Sequence, residues 1–100
     1  MGSINTEIRV KENSWIAKIA AWKLGTENVA IVFGNTIHLH NVSKDDFLSN
    51  SRWVKHELCH IQQYRHFGFI PFIIRYIVES IKHGYRQNKF EVQARAAEDK

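Results

Sequence analysis

Two histidines placed four residues apart constrain this chain more than any other feature. His56 and His60 lie within a segment, about residues 52–67, whose pattern predicts a helix that ends at Gly68. On a helix, positions four apart lie about 40° apart around the axis, so both imidazoles project from one face. Two imidazoles placed in this way can supply two nitrogen ligands to one zinc ion, at roughly 2.0–2.1 Å.

Glu57 directly follows the first of these histidines. On the predicted helix its carboxylate would lie beside the metal and not on it, where it could take the proton of a metal-bound water. In a chain with this content of His and Glu, the spacing arises by chance with a probability on the order of 2%. The alternative is an amphipathic helix that turns these polar residues towards solvent.

A third ligand is needed, because a catalytic zinc ion usually takes three protein ligands and keeps one position for water. The last predicted helix, about residues 89–98, offers Glu91 and Glu98, which are seven apart and share a face. Asp45 and Asp46 come earlier, in a predicted turn or short helix. We favour Glu91 because it lies in the first turn of its helix, where a capping residue fixes its direction. The alternative for Glu91 is a carboxylate that merely stabilises the helix N-terminus.

The residues around these candidates resemble two groups of zinc peptidases. Residues 88–94, Asn-Lys-Phe-Glu-Val-Gln-Ala, are similar to the Phe-Glu-x-Gln-Ala-Asp segment of the CAAX prenyl protease family. Residues 56–64, His-Glu-Leu-Cys-His-Ile-Gln-Gln-Tyr, are similar to the motif helix of the minimal gluzincins, or minigluzincins, whose metal ligands are His, His and Glu. The resemblance covers about residues 53–97, and the first half of the chain matches only in general layout.

The resemblance to the gluzincins implies an α+β fold, with a short sheet above the motif helix and helices below it. It also implies one zinc ion held by His56, His60 and Glu91. Glu57 would then be the catalytic base of peptide-bond hydrolysis. One residue departs from the prenyl protease pattern: Arg95 stands where that pattern has an Asp, which would support a zinc-bound histidine.

An inert metal-binding or interaction module is the alternative to an active peptidase, because a chain of 100 residues has little material for substrate pockets. The tail, residues 96–100, could also fold back towards the cleft and hold the enzyme latent. The group that stabilises the oxyanion of the reaction stays open among Tyr64, Tyr76, His83 and Tyr85.

The length of the chain suits one domain over residues 1–100. Its net charge of +4 lies wholly in the second half. Residues 51–100 contain nine basic and five acidic residues, whereas residues 1–50 contain five of each. The basic residues are scattered and form no run, so we expect solvated surface and no nucleic-acid partner. The predicted partner is a peptide or protein substrate.

Secretion and membrane insertion are not expected. Residues 1–6 lack the basic and apolar regions of a signal peptide. The longest mainly apolar stretch, residues 69–78, falls short of the about 20 residues that span a bilayer. We therefore predict a cytoplasmic protein without stable membrane insertion.

The first half of the chain predicts a small sheet and one helix. Residues 4–11 show a weak alternation of apolar and polar residues that predicts a strand. Asn13 and Ser14 can cap a helix over Trp15–Leu24 that ends at Gly25. We expect this helix to pack through one side, made of Ile16, Ile19, Ala20 and Lys23 and flanked by Trp15 and Trp22.

A β-hairpin is predicted over Val29–Phe33 and Thr36–His40, with its turn at Gly34 and Asn35. The outer strand of this hairpin, Thr36–His40, could hold the backbone of a substrate peptide by strand addition. His38 and His40 share one face of the second strand. We favour a half-exposed strand face over a second metal site, because no acidic or cysteine partner lies nearby.

In the second half, residues 71–83 predict a strongly apolar helix that begins near Pro71 and ends at Gly84. A helix so apolar is expected to be mostly buried, against the motif helix. The fold class predicted for the whole chain is α+β, with a small sheet in the N-terminal half packed on the motif helix and a helical C-terminal half.

Overall fold

Three strands and five helices form the part of the chain that the computed structural model describes, residues 8–100. In chain order they are β1 (Arg9–Lys11), α1 (Trp15–Leu24), β2 (Val29–Phe33), β3 (Thr36–His40), α2 (Lys44–Ser49), α3 (Ser51–Phe67), α4 (Phe69–Gln87) and α5 (Lys89–Ala97). These residues fall into two compact units, one up to Asn50 and one from Ser51. The predicted α+β class is confirmed, and a single domain over residues 1–100 stays a prediction.

The sheet of the first unit has the order β1-β3-β2. The hairpin is confirmed: β2 and β3 pair antiparallel, from Val29 opposite His40 to Phe33 opposite Thr36. β1 pairs parallel with the other edge of β3. Thr36–His40 is therefore the central strand, and the prediction that it accepts a substrate strand is wrong because both its edges are paired. The first four residues of the predicted N-terminal strand, 4–7, lie outside the described residues.

Helix α1 begins and ends as predicted. The Ser14 hydroxyl accepts a hydrogen bond from the backbone N–H of Ile16, and Gly25 closes the helix in the left-handed conformation with φ of 69°. The prediction of the packing side is wrong for its large residues. Ile19 is 53% exposed, and Trp15 and Trp22 are still more exposed.

The side of α1 that packs is made of alanines. Ala17 and Ala21 are buried with Val29 of the sheet, and Ala20 and Ile31 flank them. Small side chains let the helix axis approach the strands closely, which large ones would prevent. Isoleucine and tryptophan have larger apolar side chains than alanine, so a prediction based on the large apolar residues chose the wrong face of α1.

His38 is buried in the first unit, and its Nδ1 lies 2.8 Å from the hydroxyl oxygen of Ser14. Burial, and then the charge of Lys11, hold its pKa below the ordinary value. The expectation of a half-exposed strand face is therefore wrong for His38, which serves to tie β3 to the start of α1. No group of possible metal ligands forms around it among residues 8–100.

An aromatic cluster forms the centre of the second unit, where α3, α4 and α5 meet. Phe72 and Phe90 are almost completely buried, with ring centroids 5.0 Å apart. The ring of Tyr64 lies 4.5 Å from that of Phe72. Edge-to-face contacts of this kind add to the free energy gained from burying the rings.

Glycines end the first two helices of this unit. Gly68 has φ of 92° after α3, and Gly84 has φ of 81° and ψ of 165°, so regular helix in α4 stops there as predicted. The predicted burial of α4 is wrong, because among its residues only Phe72 is buried. Ile74 and Ile81 are 57% and 79% exposed. No helix within residues 8–100 is long and apolar enough to cross a bilayer.

Candidate metal centre

The three predicted ligands come together in the second unit. The nearest ligand atoms of His56, His60 and Glu91 all lie within 4.8 Å of one another. Glu91 Oε1 lies 3.1 Å from His56 Nε2 and 3.3 Å from His60 Nε2. Of the candidates for the third ligand, the structure thus brings Glu91 to the histidine pair.

Helix geometry accounts for the two histidines, and a buried cap accounts for Glu91. The imidazoles lie one turn apart on α3, with ring centroids 5.1 Å apart. Asn88 caps α5 by accepting a hydrogen bond from the N–H of Phe90. Its amide also donates to Tyr76 O and to Ser80 Oγ of α4, at 3.1 and 2.9 Å. The first turn of α5 is therefore fixed to α4, and Glu91 is aimed from it.

Two of the three spacings in this group, those from Glu91, are close to those around a tetrahedral zinc ion. Two ligands about 2.05 Å from a tetrahedral centre are separated by about 3.3 Å, the edge of the tetrahedron. The distances from Glu91 Oε1 to His56 Nε2 and His60 Nε2, 3.1 and 3.3 Å, are close to that edge. Two neutral imidazoles and a carboxylate are also a common donor set for zinc in hydrolases. The residues present therefore fit the metal that the motif predicts.

His60 is held by a buried glutamine one turn away. Gln63 Oε1 lies 2.8 Å from His60 Nδ1, and Gln63 Nε2 donates to Phe90 O and to Gln93 Oε1. Because the amide nitrogen is committed to donating, Oε1 must accept from an Nδ1–H. The proton on Nδ1 is thereby fixed, so a metal ion that displaces the proton on Nε2 would find the Nε2 lone pair directed at the ligand group.

His56 has a carboxylate as its partner. Glu98 Oε2 lies 2.7 Å from His56 Nδ1, and Glu98 Oε1 lies 3.2 Å from Arg52, whose other nitrogen contacts Asp99 at 2.6 Å. The tail beyond α5 thus runs along the first turns of α3, where Lys55 also donates to the backbone carbonyl of Lys100. Glu98 was a candidate ligand from sequence, but it lies on the outer nitrogen of the first histidine.

Two tyrosines of α4 surround the carboxylate of Glu91. The Tyr76 hydroxyl donates to Glu91 Oε2, and Tyr85 lies close enough for the charge of Glu91 to act on its phenol. Burial, then the charge of Glu91, raises the pKa of both phenols, that of Tyr85 to about 12. The other two candidates for the oxyanion group lie elsewhere: Tyr64 is in the aromatic cluster, and His83 is exposed on α4.

Glu91 is ionised in this setting, and the histidines hold protons tightly. Burial favours the neutral form of Glu91, but hydrogen bonds from His56 and His60 outweigh it and bring its pKa far below the ordinary value. Burial lowers the pKa of each histidine, yet its hydrogen bond to Glu91 contributes to a net rise. A metal ion would replace those protons, so its binding must weaken as the pH falls.

Glu57 is buried beside the ligand group, with 4% of its surface exposed. Its Oε1 has no hydrogen-bond partner within the described part of the chain. Burial raises its pKa to about 8, against the opposing effect of His60 and a hydrogen bond with the Trp53 side chain. A buried carboxyl oxygen without a partner is costly, and a catalytic role or a bound ion is among the explanations for such an atom.

The other residues that the sequence singled out do not belong to the group of three ligands. Asp45 and Asp46 form the first turn of α2 in the first unit. Arg95, which stands where the prenyl protease pattern has Asp, turns its guanidinium to the backbone carbonyl of Arg86. The sequence analysis missed Arg52 and Gln63. Each lies one helical turn from a predicted histidine ligand, and that spacing could have identified them.

Comparison with known proteins adds no family assignment, since no family model, curated protein or solved structure matches the chain significantly. The resemblance to the gluzincins therefore stays a prediction, and the interpretation of the site depends on its geometry.

Proposed function

We propose that the chain is a zinc-dependent peptidase. The observation that carries the proposal is the convergence of His56, His60 and Glu91, with ligand atoms within 4.8 Å, next to the buried carboxyl of Glu57. The four residues correspond to the ligands and the base that the resemblance to the gluzincins implies. A peptide or protein is the substrate class, because this donor set with an adjacent glutamate serves amide hydrolysis.

His56 and His60 would hold the ion through Nε2, and Glu91 through Oε1. When bound, zinc would polarise the scissile carbonyl and lower the pKa of the attacking water. The protein's own contribution is to present three ligand atoms on two helices whose first turns are fixed by side-chain hydrogen bonds. Fixed ligands avoid the cost of reorganising the site during the reaction.

Glu57 is the proposed general base, and afterwards the acid that protonates the leaving amine. A pKa of about 8 in the metal-free protein lies near neutral pH, so the carboxyl can both take and return a proton. Its unpartnered Oε1 is free of competing hydrogen bonds from the described residues. The carboxylate form is favoured further when a cation lies close to it.

Tyr85 is the proposed oxyanion-stabilising residue. It is 46% exposed and so accessible to a substrate, and its pKa of about 12 keeps the hydroxyl protonated and able to donate. The Tyr76 hydroxyl also reaches the site, but it donates to Glu91 Oε2. Tyr76 therefore serves to orient the ligand.

The proposal is tested by Glu57→Gln, with the exposed Glu27→Gln as the matched control. Metal content by mass spectrometry and cleavage of an unstructured protein are measured on both variants and the wild type. Glu57→Gln should keep one equivalent of zinc and lose turnover by at least about 100-fold, the usual contribution of a general base. Cleavage that survives in Glu57→Gln would contradict the role of this residue.

A metal-binding module without turnover is the second candidate. It is favoured by the closed hydrogen-bond network in which Glu91 is paired with both histidines and with Tyr76. The same measurements separate the two functions, because the module predicts one bound zinc ion and no cleavage by the wild type.

A further inference from the structure

Helix α5 and its C-cap residue contact both ring nitrogens of His56. Glu91 Oε1 lies 3.1 Å from Nε2, and Glu98 Oε2 lies 2.7 Å from Nδ1. Glu98 caps α5 with helical dihedral angles, so the two glutamates, seven residues apart, lie two turns apart on one face. One helix and its cap therefore supply a candidate metal ligand and also a carboxylate on the far side of another ligand.

Glu98 is itself held in place. Its second oxygen lies 3.2 Å from the guanidinium of Arg52, one turn before His56 on α3. The partly exposed carboxylate is thus oriented between a permanent cation and the imidazole. Arg95 cannot take this role, because its guanidinium carries no acceptor and is turned to Arg86 O.

We propose that Glu98 is the positioning residue of the metal centre, and this inference rests on the proposed zinc site. Its Oε2, 2.7 Å from Nδ1, accepts the Nδ1 proton of His56, which leaves Nε2 to bind the metal. It also fixes the rotation of the ring and raises the basicity of Nε2. Glu98 thereby supplies the support that the departure at Arg95 removes.

The two histidines differ in this respect. His60 is supported by the neutral amide of Gln63, and His56 by the charge of Glu98. A carboxylate partner strengthens a ligand through its charge as well as through its hydrogen bond. The role of Glu98 can therefore be divided by experiment, since glutamine keeps an accepting oxygen and removes the charge.

Asp99 offers a matched control. It is adjacent to Glu98 and contacts the same Arg52, at 2.6 Å, but its side chain is far more exposed, at 71% against 23%. Of the two neighbouring carboxylates, only Glu98 has a hydrogen bond to His56. A substitution at Asp99 removes a similar ion pair and leaves the support of the histidine in place.

The test is a competition titration of Zn²⁺ against a chromophoric chelator, with the wild type, Glu98→Ala, Glu98→Gln and Asp99→Ala. Glu98→Ala should weaken zinc affinity by roughly 10–100-fold, the usual effect of removing such a partner. Glu98→Gln should fall between Glu98→Ala and the wild type, and Asp99→Ala should stay within about twofold of the wild type. The thermal midpoint of each metal-free protein shows whether a variant is folded.

An affinity of Glu98→Ala within about twofold of the wild type, in a folded protein, would overturn the role of Glu98 and leave the proposed zinc site intact. An equal loss in Asp99→Ala would overturn it too, because the effect would then come from the ion pair with Arg52. A wild type that takes up no zinc would overturn both the site and the positioning role. If Glu98→Ala does not fold, the Glu98→Gln titration decides: an affinity equal to that of the wild type overturns the role of the charge.

Discussion

Glu91 Oε1 lies 3.3 Å from His60 Nε2, although 31 positions separate the two residues along the chain. The contact joins the middle of α3 to the first turn of α5. The motif helix α3 does not itself place Glu91 beside His60. The site therefore depends on α4, which connects α3 to α5 and sets where α5 begins. The residues that decide it are those that fix the start of α5.

Replacing Glu91 by alanine should abolish stable zinc binding. It removes the atom that lies within 3.3 Å of both imidazole nitrogens and leaves only two protein ligands. The loss of affinity should exceed the roughly 10–100-fold that removal of an outer partner costs. Equilibrium dialysis followed by metal analysis measures it, and retention of one tightly held equivalent would show that the third ligand is another residue.

Asn88→Ala should destabilise the second unit and weaken zinc binding at the same time. Asn88 is completely buried and makes three hydrogen bonds, so its loss should cost about 1–3 kcal/mol in the free energy of unfolding. Urea denaturation and zinc titration measure the two effects. The exposed neighbour Gln87→Ala is the control. Full zinc affinity in a destabilised Asn88→Ala would mean that the cap does not aim Glu91.

Local rules predicted most of the secondary structure correctly. Ser14 and Gly25 mark the ends of α1, and the turn at Gly34 marks the hairpin. These signals depend on one or two residues and on backbone geometry that only they favour, which makes them legible in a sequence. The order of the strands was not legible, because the pairing of β1 with β3 joins distant segments through backbone atoms that every residue has.

The residues of the site also fall into those that local spacing predicts and those that depend on tertiary packing. His56, Glu57 and His60 follow from a helical repeat, and Glu91 from its place in a first turn. The outer partners Gln63 and Glu98 could be placed on a face but not assigned to a ring nitrogen, since this depends on the angle between α3 and α5. Angles between helices are set by packing of many side chains, and no short pattern encodes them.

The two faces of α4 should respond differently to substitution. Phe72→Ala removes a ring that is 2% exposed and should cost about 3–5 kcal/mol. Ile81→Ala removes part of a side chain that is 79% exposed and should change the free energy of unfolding by no more than about 0.5 kcal/mol. Chemical denaturation measures both. A cost above about 1 kcal/mol for Ile81→Ala would show that this face is covered in solution.

The stability of the metal-free protein should fall as the pH rises from about 4.5 to about 8, and Glu57 should account for part of the fall. Burial raises its pKa from 4.5 to about 8, so over this range the unfolded chain has released the proton and the folded protein retains it. Stability therefore decreases with pH, by up to a few kcal/mol. The raised pKa values of His56 and His60 act in the same direction at higher pH. Urea denaturation across this range should show a flatter profile for Glu57→Gln than for the wild type, and parallel profiles would refute the burial of an ionisable Glu57.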